Sequence, residues 1–545
     1  MKKLTLLLIT LLSFFSLTTI AQQRPKLVVG IVVDQMRYDY LQRYWYNFEE
    51  GGFKRLVDEG YICRNASFDY AATQTGPGHA SIYTGTYPAH HGIVGNHFYD
   101  RALGKTIYCV EDTTERTVGI AGKAGARSPR RLQVSTLADE IKLASNMRSK
   151  VVAVSLKDRS SILPAGHAAN GAYWMDDATG SWVSSTFYME ELPKWVKKLN
   201  KERDIEKYAK SVWKPLLSMK SYTASHEDDT PYEGPFKGRE KATFPYPMKE
   251  IISQESDSYR YGPIKATPFG NTLVKDFAKE ALQAEELGQD DFTDLLAISF
   301  SSTDYVGHQF GPMAIETEDT YLRLDRDLKD LIEYIDEKVG LENTLFFLTA
   351  DHGGAHVPSF TTSIKMPGGY YKSKEITERL EAHLDELYGE GDWIDSHSSG
   401  QVYLNRSLIK EKKLALSEVQ EKVAERLVEE EVMKDALTAS QLNTYNYTEG
   451  YKELVQHSYN RQNSPDVYGV PHAHYLSYRK HGTSHGMPHA YDTQVPMLFF
   501  GWKVTAGETF DRHYITEITP TVTSLLNLSN PSGVYSDPVT LPLKK

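Results

Sequence analysis

Cysteine is nearly absent, with only Cys63 and Cys109 in 545 residues. That excludes a disulfide-stapled scaffold and a cysteine-based zinc knuckle. It leaves open whether the two thiols pair, which needs Cα atoms within about 7 Å, or stay buried and free. No run after the first 17 residues is long and apolar enough to cross a bilayer, which takes about 20 residues. Excess positive charge is lacking too. The formal net charge of −11 disfavours nonspecific nucleic-acid binding and attraction to anionic membranes, and no basic stripe with interleaved aromatics appears. Repeats and low-complexity tracts are also missing.

What is present begins with an export pattern. Lys2 and Lys3 precede an apolar stretch over 4–17, and Thr19-Ile20-Ala21 offers small residues where a signal peptidase inspects. Residues 1–21 are therefore expected to be a signal peptide, with the mature chain periplasmic or secreted and free of a membrane span. Removing two lysines takes the charge from −11 to −13.

Five short apolar runs organise the mature chain: Leu27–Val33, 151–156, 295–300, 344–350 and 496–500. Helical stretches alternate with them, which predicts an α/β fold with a mainly parallel central sheet flanked by helices on both faces. One helix is marked by Tyr321, Leu324, Leu328, Leu331, Ile332 and Ile335 at three- and four-residue steps. It feeds the 344–350 run as a βαβ crossover should. Residues 22–545 are read as one catalytic domain with inserted segments at approximately 176–271 and 358–479. The first is rich in Tyr, Pro, Ser and Lys, with little periodicity. The second carries two amphipathic helices, one through Ile376, Leu380, Leu384 and Leu387, the other through Val419, Val423 and Leu427. Ser417 and Gln420 have capping-box spacing for the latter, and this segment is expected to pack near the site as a lid or wall.

Chemistry-bearing residues collect at the ends of these runs, where an open α/β sheet leaves a crevice. Asp34 follows the first run, Lys157 and Arg159 the second, Asp304 and His308 the third, Asp351 and His352 the fourth, and His485 lies shortly before the fifth. Carboxylates and imidazoles are standard zinc ligands. Each has a plain alternative: Asp34 as a helix N-cap, Asp304-Tyr-Val-Gly-His308 as a polar turn, His352 as a loop residue, and Lys157 with Arg159 as a solvated turn. His485 has rivals in His481 and His489. Thr75, in Thr73-Gln-Thr-Gly-Pro-Gly-His79, sits in a glycine-rich loop entering a helix N-terminus, where backbone N–H groups favour anions. Its hydroxyl would need a metal or base to become a nucleophile; alone it reads as a turn residue.

The segments KLVVGIVVDQMR, TGPGHASIYTG, HGIVGN, VSLKDRSSILPAGH, STDYVGHQFGP, TYLRLDRDL, ADHGGAH and GTSH span almost the whole mature chain. Together they resemble the alkaline phosphatase superfamily, and within it the phosphate-irrepressible monoesterases with a threonine nucleophile. The resemblance implies an alkaline-phosphatase-like fold and two Zn²⁺. Asp34, Asp351 and His352 would hold the zinc that activates Thr75. Asp304, His308 and His485 would hold the zinc facing the leaving group. Asn96, Lys157 and Arg159 would contact phosphoryl oxygens. Pro77, two residues after Thr75, removes one N–H that could point at the phosphoryl group, while the Gly76 N–H remains. The implied activity is hydrolysis of small-molecule phosphate monoesters through a phosphothreonine, in a chain expected to act as a monomer. A nucleotide pyrophosphatase or phosphodiesterase of the same superfamily is the nearest alternative, and a non-catalytic metal- or phosphate-binding protein is the other. A sulfatase is disfavoured, because Thr75 cannot be converted to formylglycine.

Overall fold

A computed structural model describes residues 24–477 and 481–544. The expected signal peptide and the far boundary of the second inserted segment lie outside the described residues. The main sheet has ten strands. In chain order these are β1 (Leu27–Val33), β2 (Tyr61–Ser67), β3 (Thr117–Val118), β4 (Val151–Ser155), β5 (Gly171–Met175), β6 (Trp182–Ser185), β7 (Asp294–Phe300), β8 (Thr344–Thr349), β9 (Met497–Gly501) and β10 (Gly507–Tyr514). Their spatial order is β10-β2-β9-β8-β1-β7-β4-β5-β6-β3. The centre, β8-β1-β7-β4-β5, is parallel throughout.

All seven residues of β1 are buried, so both faces of the sheet are covered, as a continuous Val/Leu/Ile run requires. The predicted amphipathic helix spans Ile315–Lys338, and all six of its stripe residues are buried. It leads into β8 by a crossover that passes the central β1.

The fifth apolar run differs from the rest. β9 runs antiparallel to β8, with Met497 opposite Thr349. Its beginning therefore lies at the sheet edge where the parallel strands end, which brings the chain just before it to the same crevice.

Between β8 and β9 a second apolar cluster forms around Ile376, Leu380, Leu384, Val419, Val423 and Leu427. It is backed by a four-stranded sheet of Ile394–Ser398, Gln401–Leu404, Val467–Pro471 and Met433–Thr438. Two local expectations fail here. Leu387 is 45% exposed at the end of its helix. The helix Leu416–Val428 starts after Ala415, with no side-chain cap, so Ser417 lies inside it. Gln420 faces inward instead, donating to Asp466 Oδ1 at 3.2 Å and accepting from Ser440. Both cysteines are free and buried, which answers the pairing question against a bridge.

The turn that carries Asn96 is anchored by His91. Its Nδ1 accepts from the Ile93 N–H and its Nε2 donates to Ser81 Oγ, so the ring is held neutral. Burial, aided by the charge of nearby His90, lowers its pKa to about 3. Because the folded value lies below the ordinary 6.5, stability is fully present above pH 6.5 and declines as pH falls toward 3. The loss from this one residue is on the order of 2 kcal/mol at pH 5. We expect His91→Gln to be less stable than the parent at pH 7.5, yet to lose less of its melting temperature between pH 7.5 and 5. Parallel pH trends for the two proteins would refute the assignment.

Candidate active site

The site sits where β1, β4, β7 and β8 end. Asp34 is fixed at the end of β1 by its backbone N–H to Phe300 O of β7. Asp351 and His352 follow β8 and are fully buried. Asp304 and His308 lie one turn apart on the helix Ser302–Phe310, so their side chains share a face, with His308 Nε2 3.2 Å from Asp304 Oδ1. His485 arrives on the loop that precedes β9. Its ring stacks on His352 with centroids 3.4 Å apart, and its Nε2 is 3.6 Å from Asp304 Oδ1. The two rivals go elsewhere: His481 is exposed and His489 bonds to Pro471 O.

All six candidates thus converge. Among the described residues, Asp34, Asp351 and His352 form one group able to surround an ion, and Asp304, His352 and His485 form another. His352 stands between the two, and His308 joins the second through Asp304. Three of the converging atoms, Asp34 Oδ1, Asp351 Oδ2 and His352 Nε2, are buried without a hydrogen-bond partner. Asp34 Oδ1 and Asp351 Oδ2 lie 3.5 and 3.6 Å from His352 Nε2. Buried polar atoms left so are costly, and a cation among them would satisfy all three.

Electrostatics fit that donor set. Burial, then repulsion from Asp304 and Asp351, raises Asp34 well above the usual carboxylate range. Burial also opposes the charge on Asp304, but His308, Lys157 and His485 together hold it well below that range. Asp351 is likewise lowered against its burial, by His352 and His79. Burial lowers His352, and burial with the neighbouring His352 lowers His485, which favours the neutral imidazole, the form that binds metals.

Thr75 opens the helix Thr75–Thr84 and is 1% exposed. A Cβ at Gly78 would collide with the Asp351 backbone, so glycine permits this helix to approach the end of β8. Arg159 Nη2 is 3.4 Å from Thr75 Oγ1. Asn96 Oδ1 accepts the Gly76 N–H at 2.7 Å. The donor that remains beside Thr75 is thus engaged within the loop, and the bond fixes which end of the Asn96 amide is oxygen. Lys157 Nζ lies 2.6 Å from both Asp34 Oδ2 and Asp304 Oδ2, bridging the two groups instead of standing clear of the carboxylates.

Several supporting residues escaped the sequence reading. Tyr108 OH accepts from Arg159 Nη1 at 3.0 Å and donates to Asp158, whose other oxygen takes Arg127 Nε at 2.8 Å. His79 Nδ1 lies 2.9 Å from Thr75 O and 3.3 Å from Asp351 Oδ2. Asp492 Oδ2 accepts the N–H groups of Gly486 and Met487, next to His485, while its backbone oxygen takes the Gly353 N–H. Gln35 donates to Asp304 and Asp351. Asp158 and His79 lay inside motifs already singled out, whereas Tyr108 and Asp492 carried no local signal.

Comparison with known proteins shows which family the chain belongs to. Residues 28–492 match the family described as type I phosphodiesterase / nucleotide pyrophosphatase. The chain is 43% identical to alkaline phosphatase PhoV of Synechococcus elongatus over 96% of its own length and 93% of that protein's. It is also 43% identical to alkaline phosphatase PafA of Elizabethkingia meningoseptica, over 96% and 95%. The crystal structure of wild-type PafA superposes with a TM-score of 0.92 at 42% identity, covering 96% of this chain and 100% of that one. The sheet with its flanking helices is accordingly the alkaline-phosphatase-like fold, and the chain belongs to the type I phosphodiesterase / nucleotide pyrophosphatase family, where it is similar along nearly its whole length to alkaline phosphatases.

Proposed function

We propose that this chain is a secreted, two-zinc alkaline phosphatase that hydrolyses phosphate monoesters to an alcohol and inorganic phosphate through a phosphothreonine at Thr75. One observation carries the reading: the unpartnered, buried Asp34 Oδ1, Asp351 Oδ2 and His352 Nε2 converge in the crevice that also receives Asp304, His308 and His485. Similarity to proteins named alkaline phosphatases supports a phosphoric ester hydrolase. Residues 22–545 would form one catalytic domain, acting as a monomer in the periplasm or outside the cell, with approximately 176–271 and 358–479 as insertions.

Asp34, Asp351 and His352 would hold one zinc, and Asp304, His308 and His485 the other. Bound there, the ions would lower the pKa of the Thr75 hydroxyl and of the later water, and balance charge on the departing oxygen. Thr75 Oγ1 attacks phosphorus in line with the leaving alcohol. Its O–P bond forms as the ester O–P bond breaks, its proton passes to solvent, and the departing alkoxide takes a proton from solvent to leave as the alcohol. Water then attacks the phosphothreonine from the opposite side, releasing phosphate and restoring the hydroxyl. Arg159 offers its planar fork to non-bridging oxygens, held in place by Tyr108 and Asp158. Asn96, its oxygen tied to Gly76, presents its NH₂ end as a neutral donor. Lys157 would reach a phosphoryl oxygen by rotating its flexible stem away from the two carboxylates.

Dialysis against a strong chelator is expected to lower monoester turnover at least about 100-fold, with recovery on adding zinc. Full activity in protein shown by elemental analysis to hold less than a tenth of a zinc per chain would reject the metal-dependent reading. The family's description also names phosphodiesterases, so the assay includes a bis-aryl diester beside the aryl monoester. A strong preference for the diester would favour that alternative.

A further inference from the structure

Gln35 follows Asp34 in the turn after β1 and is 2% exposed. Its φ is +60°, in the left-handed region, which a non-glycine residue occupies at a cost that its surroundings must impose. That backbone aims two donors at carboxylates of different ligand groups. The N–H points at Asp351 Oδ1, 3.2 Å away, and the side-chain Nε2 at Asp304 Oδ1, 2.7 Å away. Asp304 Oδ1 is the oxygen that faces both His308 and His485. Room for the amide is reserved, because a Cβ at Gly307 would collide with Gln35 Oε1.

We infer that Gln35 is a positioning residue whose side-chain amide orients Asp304 for zinc in the Asp304, His308 and His485 group, an inference that rests on the two-zinc reading above. A carboxylate on a short stem can rotate about two bonds. The amide occupies one lone pair of Oδ1 and leaves the other turned toward the imidazoles. Partners of this kind alter metal affinity by about 10- to 100-fold. The bond to Asp351 comes from the backbone, so it survives any side-chain change short of proline. Losing the amide should therefore weaken one zinc and spare the other.

The test uses Gln35→Met, which keeps length without a donor, and Gln35→Asn, whose shorter amide cannot span to Asp304. Asn tolerates left-handed backbone well, which guards against a misfolded variant. Full-length, zinc-loaded proteins are titrated with a chelator, and zinc per chain is measured by elemental analysis. Both variants should release one equivalent at about 10- to 100-fold lower chelator concentration than the parent, while the second follows the parental curve. Release curves identical to the parent's, or both equivalents leaving together, would overturn the role given to the amide. A parent protein that never binds two zinc ions would instead remove the two-zinc reading, and the inference with it. That failure shows in the parental arm alone.

Discussion

Replacing Thr75 with alanine is expected to lower monoester turnover by about 10³-fold or more while zinc content stays at the parental level. The size follows from what is removed. In the proposed mechanism Thr75 Oγ1 is the attacking atom, and alanine would leave neither an acceptor for phosphorus nor a covalent intermediate, so only direct attack by water would remain. The change is small in volume at a buried helix start, so the fold should survive. Acid quenching during turnover gives a second readout: the parent should carry phosphate on Thr75, and the variant none. Multiple turnover near the parental rate in the alanine variant would remove Thr75 from the mechanism.

Arg159→Ala should separate monoester from diester chemistry. A monoester dianion presents one more free oxygen than a diester, and that oxygen rewards added positive charge. Arg159 stands 3.4 Å from Thr75 Oγ1, with Asp158 beside it and Tyr108 accepting from its other nitrogen. Burial opposes its charge, but Tyr108 and Asp158 keep its pKa raised well above the ordinary value, so the side chain is cationic at every working pH. Loss of one such donor costs about 10²- to 10³-fold in the transition state. We expect kcat/KM for an aryl monoester to fall by that factor and for the bis-aryl diester by less than about 10-fold. Equal losses on both substrates would mean that Arg159 serves binding in general and does not select monoesters.

How much of this can be read from the sequence depends on how local each cause is. Asp34 and Asp351 could be singled out because each ends an unbroken apolar run, and such a run must be a strand buried on both faces. Asp304 and His308 carried their own i,i+4 spacing. His485 had no local cause. It stands 133 residues after His352, and its place depends on β9 running antiparallel to β8, a pairing that no window of sequence encodes. The Ser417 and Gln420 pattern misled for the opposite reason: the spacing was right, but burial against Asp466 claimed the glutamine. Gln35 was invisible because its importance lies in a left-handed backbone and a space at Gly307, neither of which residue type reveals. Lys157, expected among the phosphate contacts, bridges Asp34 and Asp304, a place set by two buried carboxylates that need a cation near them.

On the proposed reading, six distant side chains gather two zinc ions against one hydroxyl. Anomalous diffraction from crystals of the full chain, collected on both sides of the zinc absorption edge, tests it directly. Two peaks about 4 Å apart are expected. One should lie among Asp34, Asp351 and His352 on the Thr75 side, and the other among Asp304, His308 and His485. No peak in this crevice, or zinc bound only elsewhere on the chain, would contradict it.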